Sequence, residues 1–328
     1  MNRKRNLLQN VLLTLAILTV LFFCLFPFIQ ILSTSLKHQF DWGNPSLIPV
    51  KFNLKAYKEL LGFGESTEKQ IPEMVKKLLN NPLITNEQRE KILSNYQSTH
   101  DVFPFPRFFL NTFLLSASAA SVSLALAVFG AYAFSRLRFG GRTIIQRSIL
   151  FVYMVGGVLL MVPLYQMSVK VGLAKTVWGS LLSLLLIYII QTLPVSLYML
   201  GNYFRTIPYS IEEAATTDGC SRIQSIFIII IPLSVPMLVT VFVYCFIIAW
   251  NEFLFASVFL KQYHNFHTLP LAIQSLFLSK NAIWDRIMAA SMLTLVPVVI
   301  CFLLAMRNLS GGLAEAVSYT HLRAHETE

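Results

Sequence analysis

The chain has 328 residues, of which 55% are hydrophobic and only 13% are charged. Soluble domains carry roughly 25% charged residues, so this composition excludes an ordinary soluble protein and predicts an integral membrane protein. The net charge of +10 does not indicate a nucleic-acid ligand, because lysines and arginines gather in the loops that we predict to face the cytoplasm.

Six apolar stretches are long enough to cross a membrane as helices, which takes about 20 mostly apolar residues. They lie at about Leu8–Leu32, Phe108–Phe134, Ser148–Val169, Val177–Leu200, Ile226–Trp250 and Ile287–Met306. The first stretch is too long for the core of a signal peptide and lacks a small-residue cleavage site, so we expect it to be retained. The sequence therefore predicts an all-α integral membrane protein with six transmembrane helices.

Basic residues predict the orientation of these helices. They precede the first span, join the second to the third, flank an acidic segment before the fifth and follow the last span. Because lysine and arginine favour short cytoplasmic loops, we expect both termini in the cytoplasm. The loop at residues 34–107 is then extracytoplasmic, and it is long enough that its lysines do not decide the orientation.

The chain divides by composition into four segments. Residues 1–33 hold the N-terminal segment and the first span, residues 34–107 form the extracytoplasmic loop, and residues 108–316 form a core of five helices. Residues 317–328 are polar and resemble the in-frame translation of a sequencing adapter, so we exclude them from the fold prediction.

An insertion at about residues 64–99 lies within the extracytoplasmic loop. Apolar residues recur there at helical spacing and predict two short amphipathic helices broken at Asn80–Pro82. These helices are either a small cap on the outer face or a solvated insertion with no role of its own.

The fifth apolar stretch continues to Leu260 and is too long for one perpendicular helix. Pro232 and Pro236 predict a kink near its cytoplasmic end, because proline removes a helical hydrogen bond. After Trp250 we expect a break, a short helix or a re-entrant segment.

A short acidic segment, "EEAATTDG" at Glu212–Gly219, precedes that stretch. Ser210 is predicted to cap a helix here, with Glu213 completing a capping box. Both glutamates lie where the helix dipole favours negative charge. Gly219 is predicted to end the helix in the left-handed conformation. A helix of about two turns is too short to be stable alone, so we expect it to pack against another element.

The spacing around this segment forms a longer pattern. Glu213-Ala214-Ala215 is followed after three residues by Gly219, and after nine more residues by Ile229 and then Ile231-Pro232. This pattern resembles the EAA signature of the membrane subunits of binding-protein-dependent ABC importers, with Ile231 in place of a leucine.

Three further stretches extend the resemblance to the carbohydrate branch of that family. They are "AYAFSRLRFGGR" at Ala131–Arg142, "AWNEFLFASVFL" at Ala249–Leu260 and "LSGGLAEA" at Leu309–Ala316. The chain best resembles the smaller permease subunit of maltose-type importers. The insertion in the extracytoplasmic loop departs from the usual shorter loop of that subunit.

The resemblance implies a type I ABC importer permease fold in a bacterial-type cytoplasmic (inner) membrane. The implied partners are a second related permease, an ABC ATPase dimer, an extracytoplasmic solute-binding protein and a sugar. ATP and magnesium would be bound by the ATPase, so the resemblance implies a transport subunit that is not an enzyme and holds no cofactor. In agreement, the sequence contains no GxxxxGK[ST] phosphate loop.

The resemblance also implies that the loop at residues 203–225 carries a coupling helix that docks on the ATPase. The residues expected to form or support this contact are Ser210, Glu212, Glu213, Ala214, Ala215, Asp218, Gly219 and Arg222. Asp218 and Arg222 pair either with the ATPase or with each other. The alternative is that these residues only cap and solvate the loop.

A candidate translocation pathway lies at Trp250, Asn251 and Glu252. Glu252 is the only carboxylate within an apolar run, and intramembrane charges are costly unless they serve a function. An aromatic face next to hydrogen-bonding groups suits a sugar. The alternative is that Glu252 lies near the outer interface, where a charge is cheaper.

Other residue patterns do not predict a site. The four cysteines lack metal-like or CxxC spacing, and His264 and His267 have no evident third ligand. A stand-alone ion-coupled secondary carrier is the main alternative function, and such carriers usually show an internal repeat and several intramembrane charges. A membrane sensor or scaffold is a further alternative, and it would not need the EAA spacing.

Overall fold

The computed structural model describes residues 2–38, 41–63, 89, 103–154, 157–278 and 284–325, and these residues contain helices and no strand. The helices are α1 (Asn2–Ser35), α2 (Lys55–Leu60), α3 (Phe105–Arg136), α4 (Arg142–Met154), α5 (Met161–Val171), α6 (Val177–Thr206), α7 (Tyr209–Thr217), α8 (Arg222–Leu233), α9 (Val235–Trp250), α10 (Leu254–Phe259), α11 (Leu269–Leu278) and α12 (Trp284–His325). The all-α prediction is therefore confirmed for the described residues. The predicted pair of amphipathic helices at residues 64–99 falls almost entirely outside them.

Four of the described helices are long and apolar enough to cross a membrane. They are α1 from Asn10, α3, α6 and the part of α12 up to Arg307, and α8 with α9 adds a fifth if that bent pair is one span. The third predicted span is described as α4 and a shorter apolar helix at Gly157–Val171, and residues 155 and 156 between them lie outside the described part of the chain. The count of six and the orientation of the termini stay predictions.

Gly157, at the start of this shorter apolar helix, lies close to α6. A methyl group added there would lie 3.2 Å from Nε2 of Gln191 on α6. Glycine permits this close approach, and it is also a poor helix former, so the chain continues as a short 3-10 turn before α5.

The fifth predicted span bends at the prolines, as predicted. The axes of α8 and α9 differ by 84°, and the break lies at Ser234, between Pro232 and Pro236. Each proline lacks an N–H group, which weakens the helix at this point. The chain then ends α9 at Trp250 and forms the short helix α10, so the break expected after Trp250 is also confirmed.

The chain forms two compact units, and the first comprises Met1–Pro106 and Ala272–Leu295. The segment that follows α1 in this unit is held by polar contacts. Lys37 is 1% exposed and donates to the carbonyl of Asn44 at 2.7 Å, and the hydroxyls of Ser35 and Tyr57 are 2.7 Å apart. Partial burial raises the pKa of Tyr57. These contacts keep the start of the loop folded against the end of α1.

The second unit comprises Arg107–Leu271 and Val296–Glu328. Its core lies where α3, α6, α9 and α10 meet, and it is formed by buried hydrophobic residues. They include Leu115, Ala119, Leu184, Ile187, Tyr188, Ala249, Phe255, Ala256, Phe259 and Leu260. This core includes Ala249 at the C-terminal end of α9, and it therefore lies beside the candidate site at that end.

Buried hydroxyl and thiol groups connect three helices of the second unit. The Thr192 hydroxyl donates to Ser123 Oγ at 2.9 Å, and the Ser196 hydroxyl lies 3.1 Å from the Cys245 sulfur. Such bonds hold helices together inside a membrane, where apolar packing alone does not distinguish a neighbour from lipid.

Candidate functional site

The coupling-helix candidate is α7, and its N-terminus differs from the prediction. The helix begins at Tyr209 after Pro208, and no side chain caps it, so the capping box expected from Ser210 and Glu213 is wrong. Pro208 already turns the chain, with φ −59° and ψ 137°, and this places Ser210 inside the first turn. A capping box occurs instead at α8, where Ser221 and Gln224 exchange side-chain and backbone hydrogen bonds.

The C-terminus of α7 has the predicted geometry. Gly219 has φ +90°, the left-handed conformation that glycine adopts without strain. The N–H of Cys220 donates to the Ala215 carbonyl at 2.9 Å, and the N–H of Gly219 donates to the Thr216 carbonyl at 3.1 Å. These two bonds form a Schellman motif, which ends the helix sharply.

One face of α7 is buried against the end of α3. Glu212 forms an ion pair with Arg136, with Oε1 2.5 Å from Nε, and the two side chains are only 10% and 4% exposed. Tyr132 donates its hydroxyl proton to Oε2 of Glu212 at 3.2 Å. Ala215, one turn along α7, is buried on the same face. The sequence did assign a role to Glu212, but as part of the surface that meets the ATPase.

Arg136 makes further contacts around the start of α7. Its guanidinium donates to the Ile207 carbonyl at 2.8 Å and lies 4.6 Å from the centre of the Tyr209 ring. Tyr209 in turn donates its hydroxyl proton to the Arg136 carbonyl at 2.8 Å. Sequence reasoning used this part of the chain for the orientation of the helices and for the family resemblance, and it gave Arg136 no partner. No signal along the sequence connects Arg136 to α7, because three helices lie between them.

The opposite face of α7 is exposed. Its members are Ser210, Glu213, Ala214, Thr217, Asp218 and Gly219. Within residues 203–225, all of which are described, Asp218 and Arg222 form no ion pair with each other. Of the eight residues predicted to serve coupling, Glu212 and Ala215 therefore face inward, and the other six face outward or lie in the flanking turn.

The candidate pathway residues lie at the end of α9. Trp250 has no exposed surface and packs between Phe109 and Phe246, with ring centres 5.4 Å from each. Asn251 is exposed and donates back to the Ile247 carbonyl at 3.0 Å. In this conformation neither face of the indole is open to a passing sugar, and the pathway role stays a prediction.

Glu252 caps α10. Its Oε1 accepts from the backbone N–H of Phe255 at 2.7 Å, and its Oε2 accepts from Ala256 N–H at 3.1 Å and from the Tyr188 hydroxyl at 2.9 Å. A carboxylate at a helix N-terminus also interacts favourably with the helix dipole. Both oxygens of Glu252 are thus engaged within the chain.

The segment that leads into α11 is attached to the start of α3. The Asn111 amide donates to the carbonyls of Asn265 and His267 at 3.1 and 3.2 Å, and Thr112 Oγ1 accepts from Leu269 N–H at 2.6 Å. Burial and the nearby His264 ring lower the pKa of His267. This attachment holds the segment before α11 in one position beside α3.

Residues 119–314 match the family described as "Binding-protein-dependent transport system inner membrane component". The chain belongs to this family. The match includes α7 and the ends of α3 and α9 that surround both candidate sites. The permease is accordingly an ABC transporter membrane subunit and a multi-pass membrane protein.

Curated relatives cover most of the permease. It is 39% identical to the inner membrane ABC transporter permease protein YcjP of Escherichia coli (strain K12), over 88% of this chain and 89% of that one. It is 28% identical to the trehalose/maltose transport system permease protein MalG of Thermococcus litoralis, over 94% of this chain and 97% of that one.

A solved structure supports the fold. The permease resembles a chain of a bacterial ABC transporter involved in the import of the acidic polysaccharide alginate, with a TM-score of 0.68. The match covers 91% of this chain and 95% of that chain at 22% identity, so it establishes a shared fold alone. The predicted ABC importer permease fold is thereby confirmed.

Proposed function

We propose that the permease is a membrane subunit of an ATP-driven importer for a sugar or oligosaccharide. It forms half of the translocation pathway, together with a second related permease, and receives its substrate from an extracytoplasmic solute-binding protein. Relatives whose names refer to trehalose, maltose and maltodextrin transport support the substrate class. The observation that carries the coupling role is the exposed face of α7, which a separate ATPase subunit would contact.

The arrangement of α7 suits a docking helix. It is short and held on one side, and its outward face has small or acidic side chains that let another protein approach closely. Displacement of α7 by the ATPase would change the relative position of the helices on either side of it. Alternating access in transporters uses this kind of rigid-body motion around a central site.

Affinity purification from native membranes tests the proposal. Ala214→Trp places a bulky side chain on the exposed face of α7 without burying a new polar group. Thr143→Trp is a matched control, because it adds the same side chain at an exposed position near the start of α4. Mass spectrometry should detect an ABC ATPase and a second permease with the wild type and the control.

Ala214→Trp should lose the ATPase and keep the second permease. Failure of the wild type to recover an ATPase, under conditions where known importers stay assembled, would contradict the importer proposal. The solute-binding protein found in the same experiment is then screened by thermal shift against maltose, trehalose and other sugars. Absence of any sugar-induced shift would contradict the substrate class.

No observation favours the alternative of an ion-coupled secondary carrier. Such a carrier needs an ionisable group that exchanges protons or ions during transport. Glu252 was the candidate for that role, and it accepts three hydrogen bonds within the chain. Proton-coupled uptake becomes the next function to test only if the purification recovers no ATPase.

A further inference from the structure

The contact between α3 and α7 is formed by four side chains, which we call the latch: Tyr132, Arg136, Tyr209 and Glu212. Within it, Arg136 and Glu212 form the ion pair, and each of the two tyrosines adds a hydrogen bond between the helices. Tyr132, Arg136 and Glu212 are buried on the side of α7 that faces α3, and Tyr209 is half exposed at the start of the helix. A partner that docks on the exposed face of α7 would therefore leave the buried part of the latch intact.

The latch is more specific than an ordinary surface ion pair. Exposed pairs contribute little to stability and tolerate many geometries. Here the two charged side chains are 4% and 10% exposed. A buried charge must keep its partner, because leaving it uncompensated costs several kcal/mol. Separation of α7 from α3 would expose or unpair these groups, so the pair favours a single relative position of the two helices.

Covalent connections alone would carry a movement of α7 only to α6 and α8. The short link Ile207–Pro208 joins it to α6, and Asp218–Ser221 joins it to α8. The latch adds α3, which contributes Leu115 and Ala119 to the core of the second unit and Ser123 to its buried polar contacts. Movement of α7 together with α3 would thus reach the centre of the membrane-spanning core.

We propose that Arg136 and Glu212 are positioning residues that lock α7 to the end of α3, so that both move as one body when a partner displaces α7. The proposal rests on the proposed docking of an ATPase on α7. It assigns Glu212 to the inside of the coupling element and leaves Glu213, its neighbour in sequence, on the docking surface.

Distance measurements between spin labels test whether α7 and α3 keep a fixed relative position. Thr217→Cys on α7 and Arg138→Cys just beyond α3 carry the labels, in a chain whose native cysteines are replaced by alanine. Pulsed electron resonance gives the distance in the permease alone, then in the assembled transporter with and without AMP-PNP and magnesium. The wild-type pair should show one narrow distribution that the nucleotide leaves unchanged.

Glu212→Gln should broaden the distribution, or make it change with the nucleotide by more than about 2 Å, the scale of helix shifts in switching proteins. The exchanged pair, Arg136→Glu with Glu212→Arg, should narrow it again. An ion pair that merely stabilises the fold would lower the unfolding temperature of Glu212→Gln and leave the distance unchanged. That result would contradict the proposal that α7 and α3 move together. A distance that changes with the nucleotide in the wild type would contradict it as well.

Two further measurements cover a variant that does not fold and a failure of the proposed function. If Glu212→Gln does not fold, Tyr209→Phe is measured by the same criterion, because it removes the hydrogen bond to Arg136 and keeps the ring. If no ATPase is recovered with the wild type, the proposed function fails. The attachment of α7 to α3 is then tested by whether Glu212→Gln broadens the distance distribution in the permease alone.

Discussion

Two short helices of the permease, α7 and α10, each depend on one glutamate, but they use it differently. Glu252 precedes α10 and accepts hydrogen bonds from the backbone of that helix and from Tyr188. Glu212 lies inside α7 and pairs with an arginine of another helix. The first carboxylate completes its own helix, whereas the second attaches its helix to a neighbour.

The surroundings of the two helices differ accordingly. Three of the six residues of α10, Phe255, Ala256 and Phe259, are at most 2% exposed, so this helix is part of the core. In α7 only Glu212 and Ala215 are buried. A glutamate that holds a helix from one side leaves the other side available, and a helix of this kind is suited to bind a partner.

The largest expected effect comes from breaking the latch on one side only. Arg136→Met leaves Glu212 buried without a cation, and such losses destabilise proteins by about 3–5 kcal/mol. The double variant Arg136→Met with Glu212→Leu should recover most of that loss, because it removes both charges. The free energy of unfolding of both variants is measured by equilibrium unfolding in mixed micelles. A double variant as unstable as the single one would show that the charges do not account for the loss.

Removal of the α10 cap should have the next largest effect. Glu252→Ala leaves two backbone N–H groups and the Tyr188 hydroxyl without their acceptor, and we expect a loss of about 2 kcal/mol. Glu252→Gln keeps one acceptor oxygen and should lose less. The unfolding midpoint in detergent compares the two variants. Equal midpoints for Glu252→Ala and wild type would refute the capping role.

Gly219 terminates α7, and no residue with positive φ terminates α10. Gly219→Ala should cost roughly 1 kcal/mol, because a side chain is strained at φ +90° even though the surrounding space is open. Gly219→Asn should cost less, since asparagine tolerates this conformation. Unfolding midpoints of both variants test the order. Leu260 follows α10, but Leu260→Ala is not a suitable control for Gly219→Ala, because the Leu260 side chain is buried in the core.

The tyrosines that donate to the two glutamates permit a direct comparison. Tyr188 donates to Glu252 at 2.9 Å, and Tyr132 donates to Glu212 at 3.2 Å. Tyr188→Phe should cost about 1 kcal/mol and Tyr132→Phe less, because Glu212 retains its arginine. Both variants are measured under identical unfolding conditions. The reverse order would mean that the arginine does not compensate Glu212.

The smallest effect should be a pH dependence at the segment that leads into α11. The pKa of His267 is lowered by burial and by the nearby His264, and these effects outweigh hydrogen bonds with the backbone of Lys261 and Leu260, which raise it. The unfolded chain therefore binds a proton at a higher pH than the folded one, and stability is lost as the pH falls below about 6.5. Unfolding midpoints between pH 7.5 and 5.5 should decline less in His267→Gln. A parallel decline would assign the effect to other groups.

The class of the protein and the place of its candidate sites could be predicted from sequence patterns alone. Composition predicts a membrane protein, and the positions of Pro232, Pro236 and Gly219 predict a kink and a helix end that the structure confirms. These features depend on local chemistry, since a missing N–H group or a positive φ acts within a few residues. The EAA spacing likewise lies within one continuous stretch, and the family match confirms the membership that it predicts.

The contacts of the glutamates at the two short helices could not be predicted from the sequence and are visible in the packing of the helices. Glu212 and Glu213 are adjacent and chemically identical, yet one is buried against Arg136 and the other is exposed. Their difference depends on which face of α7 meets α3, and 76 positions separate Arg136 from Glu212 along the chain. Glu252 depends in the same way on Tyr188, 64 positions away. A pattern read along the chain has no means to specify such contacts, because they arise from the packing of helices in three dimensions.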